Sequence, residues 1–157
     1  MFARPFIDSI DFARNGRELC GEIPLVALSR LSDMLANSDG TLIYRVTGSR
    51  ESDVHKLEIV LEGMCHLRCQ RCLDVFDYPI EVISHLLVLP VDKLDEIDDD
   101  VDAIEASSQL DVMALIEDEL LLGLPFAPKH PEESCIASLK DLQHSANPFA
   151  VLAALKK

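Results

Sequence analysis

The chain lacks most of the features that mark catalytic and membrane-spanning sequences. Its six glycines are scattered, so no glycine-rich loop can cradle a phosphate. No Gly-x-Ser-x-Gly elbow presents a nucleophile, and none of the five histidines pairs with one. Apolar runs such as Leu86-Leu87-Val88-Leu89 are far shorter than the roughly 20 residues that cross a bilayer, so no membrane association is expected. After Arg4, Pro5, Asp8 and Asp11 interrupt any apolar stretch. A secretory signal is therefore not expected, and the expected location is cytoplasmic. These absences favour a binding protein over an enzyme.

Bases are also scarce. The chain of 157 residues carries 14 Lys and Arg against 28 Asp and Glu, a net charge of −14. Residues 1–89 hold 13 acids and 9 bases, residues 90–119 hold 12 acids and only Lys93, and residues 120–157 hold 3 acids and 4 bases. Phosphate binding is driven by Lys and Arg that displace counterions, so weak or no binding to naked nucleic acid is expected. A basic protein is the better partner for the acidic segment, which otherwise reads as a solvated linker.

The hydropathy pattern describes an α+β chain in a single domain, 1–157. In the N-terminal region, 1–40, Leu19 to Leu25 reads as a strand ended by Pro24. Ser29 to Ala36 reads as a short helix before the turn Asn37-Ser38-Asp39-Gly40. Residues 41–90 form an antiparallel sheet. Thr41–Thr47 is rich in β-branched and aromatic residues, and Leu57, Ile59 and Leu61 alternate on one face of His55–Glu62. Phe76–Leu89 supplies a further strand, and short connections favour antiparallel pairing. Residues 91–109 read as an acidic, mobile loop. In the helical region, 110–157, Asp111 caps a helix Val112–Leu122 that Gly123 and Pro125 stop. Asn147 and Pro148 start a last short helix, Phe149–Leu155. The helices are expected to pack on one face of the sheet; a partly closed β-barrel is the alternative architecture.

Chemistry concentrates in Cys65-His66-Leu67-Arg68-Cys69-Gln70-Arg71-Cys72. Five cysteines, an odd number, argue against a disulfide framework. The two-residue spacer between Cys69 and Cys72 lets a tight turn aim two thiolates at one ion, and zinc would need further ligands. Cys135 and His130, with four residues between them in the proline-marked run, are candidates, with Cys65 and His66 as local alternatives. Arg68 and Arg71 would lower the neighbouring thiol pKa values, which suits either zinc binding or redox reactivity. The alternatives are a structural metal site, a thiol redox pair and ordinary packing. Redox chemistry lacks the surrounding βαβ pattern of a thioredoxin-like site. Cys20 reads as a small buried residue. Glu117, Asp118 and Glu119 are consecutive on a helix and cannot converge on one ion, so they read as a solvated face or a partner-binding face. Arg68 and Arg71, with Arg45, Arg50 and Lys56 on the hairpin, are candidates for local phosphate contact.

Four stretches together resemble a bacterial family. They are Cys69-Gln70-Arg71-Cys72-Leu73 with Phe76, the helix Asp111–Leu122, the run Leu124-Pro125-x-x-Pro128-x-His130-x4-Cys135, and the tail Asn147 to Lys156. Their order and combination are similar to the YceD family, the large ribosomal RNA subunit accumulation proteins. The resemblance covers about residues 57–157 and implies a role in synthesis, processing or stability of 23S ribosomal RNA, with no known catalytic activity. Some relatives carry more cysteines after the proline-rich stretch, which implies a zinc site in them; this chain keeps Cys135, with His130 nearby. The expected partner is a basic ribosomal protein or a large-subunit assembly intermediate. The competing expectation is a thiol redox or metal-handling protein built on Cys69 and Cys72.

Overall fold

The computed structural model describes residues 4–94, 100–131 and Cys135. The chain order is β1 (Phe6–Ile7), α1 (Ser9–Arg14), β2 (Glu18–Pro24), two 3₁₀ turns (Leu25–Ala27 and Ser29–Leu31), β3 (Thr41–Glu51), β4 (Val54–Arg68), β5 (Val75–Leu89), α2 (Val91–Leu94), β6 (Ala103–Glu105), β7 (Leu110–Asp111) and α3 (Val112–Gly123). The main sheet runs β2-β3-β4-β5-β6, antiparallel from β2 to β5 and parallel between β5 and β6. Strands β1 and β7 form a separate antiparallel pair. The sheet is open, with β2 and β6 as its edges, so the barrel alternative is not supported.

Alternation builds the core. Leu42, Tyr44 and Val46 of β3 and Leu57, Ile59 and Leu61 of β4 point to one face and are buried there with Leu86 and Val88 of β5. Full burial of such a side chain stabilises by about 1.5–3 kcal/mol. Helices α1 and α3 cover this face through Phe12, Ala13, Ile116 and Leu120. Helix α1 approaches closely enough that a Cβ at Gly48 would meet the Phe12 carbonyl oxygen at 2.6 Å. Asp111 caps α3 as expected, its Oδ1 accepting from the backbone N–H groups of Met113 (2.9 Å) and Ala114 (3.2 Å).

Three expectations need correction. Ser29–Ala36 forms a 3₁₀ turn, Ser29–Leu31, rather than a helix, and the helix α1 lies at Ser9–Arg14. The 91–109 segment is not wholly a loop. It contains α2 and β6, and β6 is tied to β5 by Leu87 N–H to Asp102 O (2.9 Å) and Ala106 N–H to Leu89 O (2.7 Å). A three-residue strand needs little apolar content when the existing sheet edge supplies its partner, so composition does not reveal it. Cys20 is exposed, not buried. The final helix expected at Phe149–Leu155 lies outside the described residues.

Strands β4 and β5 are 15 residues each and pair from His55↔Val88 to Arg68↔Val75. Their length carries the turn 69–74 beyond the sheet's other strands. That turn is where the cysteines lie.

Candidate metal centre

The site joins two parts of the chain. Cys69 and Cys72 lie at the β4–β5 turn, and His130 and Cys135 follow α3. The turn is closed by Leu73 N–H to Cys69 O (2.9 Å) and Cys69 N–H to Asp74 O (2.9 Å). Arg68 donates from its guanidinium to the Leu73 carbonyl at 2.9 Å. Leu73 sits in the left-handed region at φ 67°. Gln70 N–H donates to Pro128 O at 2.9 Å, which docks the proline-marked segment onto the turn. The ring of Phe76 packs on His130 with centroids 4.7 Å apart and fixes the imidazole's orientation.

Four donor atoms converge. The Sγ atoms of Cys69 and Cys135 are 3.5 Å apart, and those of Cys135 and Cys72 are 3.8 Å apart. His130 Nδ1 lies 3.3 Å from Cys72 Sγ and 3.4 Å from Cys135 Sγ. All four ligand atoms lie within 4.8 Å of one another. A tetrahedral zinc ion with sulfur at about 2.3 Å implies ligand-to-ligand edges of about 3.8 Å, so the residues fit the ion. Three thiols and an imidazole are also the donor chemistry zinc prefers. A set of four protein ligands leaves no open position for water or substrate, which is the pattern of a structural rather than a catalytic site.

The electrostatics suit metal capture. Desolvation pushes the Cys69 thiol up, but the backbone N–H groups of Cys72, His130 and Arg71, together with the Cys135 thiol, outweigh it and bring the pKa down to about 5. The Arg71 N–H lies 3.4 Å from that sulfur. Burial raises Cys135, and the neighbouring Cys69 and Cys72 raise it further, to about 11. At neutral pH the cluster therefore starts with Cys69 ionised and Cys135 protonated.

The remaining candidates separate clearly. Cys65 is no substitute ligand: it lies on β4 within the hydrophobic core, where burial pushes its thiol up to about 11. The expected acidic face of α3 does not exist as such. Glu117 and Glu119 are buried, and Glu117 accepts from the Arg30 backbone N–H at 3.3 Å. Asp118 is exposed and pairs with Arg30. The 3₁₀ turn Ser29–Leu31, brought onto α3 from early in the chain, meets Glu117, and helix periodicity contains no signal of it. On the hairpin, Arg50 and Lys56 are engaged by Asp53 and Glu51. Sequence reasoning also missed that Phe76 braces His130; an aromatic next to the cysteine turn was its only signal.

Residues 57–156 match the family described as Large ribosomal RNA subunit accumulation protein YceD. The chain belongs to the YceD family. It is 31% identical to the Large ribosomal RNA subunit accumulation protein YceD of Haemophilus influenzae, in an alignment over 169 positions that covers 96% of this chain and 94% of the relative. No solved structure matches. The part that matches the YceD family contains all four converging ligands, most of the β4–β5 hairpin and α3. Among the described residues no helix is long and apolar enough to cross a membrane.

Proposed function

We propose that this protein is a non-catalytic cytoplasmic factor that supports accumulation of large-subunit ribosomal RNA by binding a large-subunit assembly intermediate. The observation that carries this reading is the similarity to a relative of that name along 96% of the chain. The closed donor set is consistent with a binding role, since a metal held by Cys69, Cys72, His130 and Cys135 would stabilise the turn and leave no coordination site for a reactant. The burial of Glu117 and Glu119 moves any contact with a basic ribosomal protein away from α3. The exposed Asp92, Asp100, Asp102 and Glu105 carry the acidic surface instead.

Deleting the gene should lower 23S relative to 16S ribosomal RNA, and the wild-type chain should restore the ratio. An unchanged ratio overturns the reading. The redox or metal-handling alternative requires Cys69 and Cys72 to cycle reversibly through a disulfide. One zinc ion held stably per chain, with thiols inert to mild oxidant, excludes it.

A further inference from the structure

The two faces of the five-stranded sheet differ. Helices α1 and α3 pack on the face that holds the core. On the other face the residues that alternate with the core set stay in water, and several are apolar: Ile43 is 51% exposed, Met64 45%, Val75 47% and Ile83 68%. The strand registers order this face into rows. Ile83 lies opposite Val60, which lies opposite Arg45. The row on one side is Glu22, Ile43, Glu62 and Glu81, and the row on the other is Thr47, Glu58 and His85. Glu62 and Glu81 are therefore direct cross-strand partners of like charge, a pairing that costs stability within the fold. Glu22, Glu62 and Glu81 have no cationic partner among the described residues. At the end of the sheet next to the β3–β4 turn, a groove of about 530 Å³ opens on the same face, where Ile83 and Leu87 meet Val101 and the exposed Asp100 and Asp102.

We propose that this open sheet face is the docking surface for a lysine- and arginine-rich protein segment that carries apolar side chains. The proposal rests on the reading of the protein as a factor that binds a large-subunit assembly intermediate, and it names the surface used and the chemistry of the partner. Charge complementarity selects the occupant. The outward positions of the strands carry two acids on β2, one on β3, two on β4, two on β5 and one on β6, against Arg45, Lys56 and Arg68, a net −5. Asp100 and Asp102 at the groove add to it, and Lys56 is itself engaged by Glu51. RNA meets like charge across the face. So does a second copy of the chain, since a two-fold pairing sets the same rows of carboxylates against each other. A divalent cation finds no converging donor set here, because among the described residues the cysteine and histidine cluster is the one that converges. A basic segment satisfies the carboxylates while its apolar residues cover Ile43, Val60 and Ile83. A lysine or arginine stem fits along Ile83 and Leu87 with its charged head at Asp100 and Asp102. The chain's own residues 136–157 are a poorer occupant. They follow Cys135 at the cysteine end of the hairpin, whereas the groove lies beside Lys56, thirteen residues before Cys69, roughly 43 Å away at strand spacing. Of their three lysines, Lys140 is too near Cys135 in sequence to span that distance.

The test titrates the full-length protein into a labelled peptide of about twelve residues, alternating lysine and valine, and follows fluorescence anisotropy at low and physiological salt. Saturable binding is expected, weaker at the higher salt. The strand variant Glu22→Gln/Glu62→Gln/Glu81→Gln should weaken it at least about tenfold. The turn variant Asp33→Asn/Asp39→Asn/Asp53→Asn removes as much charge from exposed turns and should change the affinity less than about twofold. Ile43→Thr/Ile83→Thr keeps β-branched residues in the strands and should weaken binding about threefold or more at either salt concentration. Circular dichroism and urea midpoints check the fold; the strand variant should be no less stable than wild type, since it removes a like-charge pair. No saturable binding by the wild type at low salt, or equal weakening by the strand and turn variants, overturns the proposal. A protein that binds the peptide only after Lys156→Gln/Lys157→Gln overturns it in favour of the chain's own tail. A dimer in sedimentation that the strand variant dissolves overturns it in favour of a second copy. In the deletion strain the strand variant should fail to restore the 23S to 16S ratio, and the turn variant should restore it. Full restoration by the strand variant removes this docking surface and leaves the accumulation role standing. An unchanged ratio on deletion removes the accumulation role, while the anisotropy still decides the surface.

Discussion

The two ends of the β4–β5 hairpin are held by different physics. At the end near the β3–β4 turn, Leu57 opposes Leu86 and both are buried in the core with Ile59, Leu61 and Val88. At the other end, Cys65 and Leu67 are the last core residues of β4. Beyond them Leu73 and Val75 are 62% and 47% exposed, and the order of the turn comes from a ring of thiols, one imidazole and a few backbone hydrogen bonds. The first end is stable because apolar surface leaves water, which needs no ligand. The second would be conditional on an ion, because four donor atoms within 4.8 Å of one another gain most of their stability only when a metal draws them together. In a protein built this way the scaffold stands without a ligand, and a metal held by Cys69, Cys72, His130 and Cys135 would order the turn.

The largest expected effect lies in the scaffold. Leu61 is fully buried and opposes both Tyr44 and Val82. Leu61→Ala should cost about 2–5 kcal/mol, read as a lower urea midpoint. The cost should be the same with and without a chelator. Cys69 is eight residues further along the strand, roughly 26 Å at strand spacing, and sites so far apart contribute additively. A chelator-dependent cost would show that the two ends share one cooperative support.

Metal removal should have the next largest effect. Chelation, or Cys72→Ser, should remove about 2.7 kcal/mol relative to protein in zinc at 100 times its dissociation constant. Cys65→Ala should still hold one zinc per chain by native mass spectrometry, since Cys65 lies outside the cluster. The pH dependence follows from the two shifted thiols. Cys135, raised to about 11, is protonated at neutral pH and must release its proton to bind. Apparent affinity therefore rises with pH, about tenfold per unit for each proton released. Cys69, lowered to about 5, is already ionised at neutral pH and protonates only as pH falls through that value, where the metal should be lost. An affinity flat between pH 6 and 8 would show that Cys135 is not a ligand.

The same contrast explains what the sequence revealed. The sheet was legible because alternation at Leu57, Ile59 and Leu61 and in β3 is a period-two signal that burial on one face enforces. The metal set was legible because Cys-x-x-Cys and His-x4-Cys spacings are local, although their convergence is a tertiary event. Short pairings set by what lies alongside were not legible. Strand β6 borrows the edge of β5, α1 is only six residues long, and Glu117 is met by a turn from another part of the chain. Cys65 looked like a ligand by proximity, yet strand alternation turns it into the core, as it does Leu67.

The smallest effect tests the turn itself. Leu73 follows Cys72 directly and holds φ at 67°, a conformation that crowds the Cβ of any residue but glycine and costs roughly 1–2 kcal/mol. Its side chain recovers little of this, being 62% exposed. The backbone contacts it makes, N–H to Cys69 O and C=O from the Arg68 guanidinium, do not need a side chain. Leu73→Gly relieves the crowding but adds freedom to the unfolded chain, which offsets about 0.5–1 kcal/mol. The balance is a gain of about 0.5 kcal/mol in the zinc-loaded protein, with zinc content unchanged, measured by equilibrium denaturation. The increment is small because the relief at Leu73 and the freedom that glycine adds to the unfolded chain nearly offset each other. A loss of stability instead would mean that the Leu73 side chain packs where it is taken to be solvated, and that apolar contact supports the turn as it supports the opposite end of the hairpin.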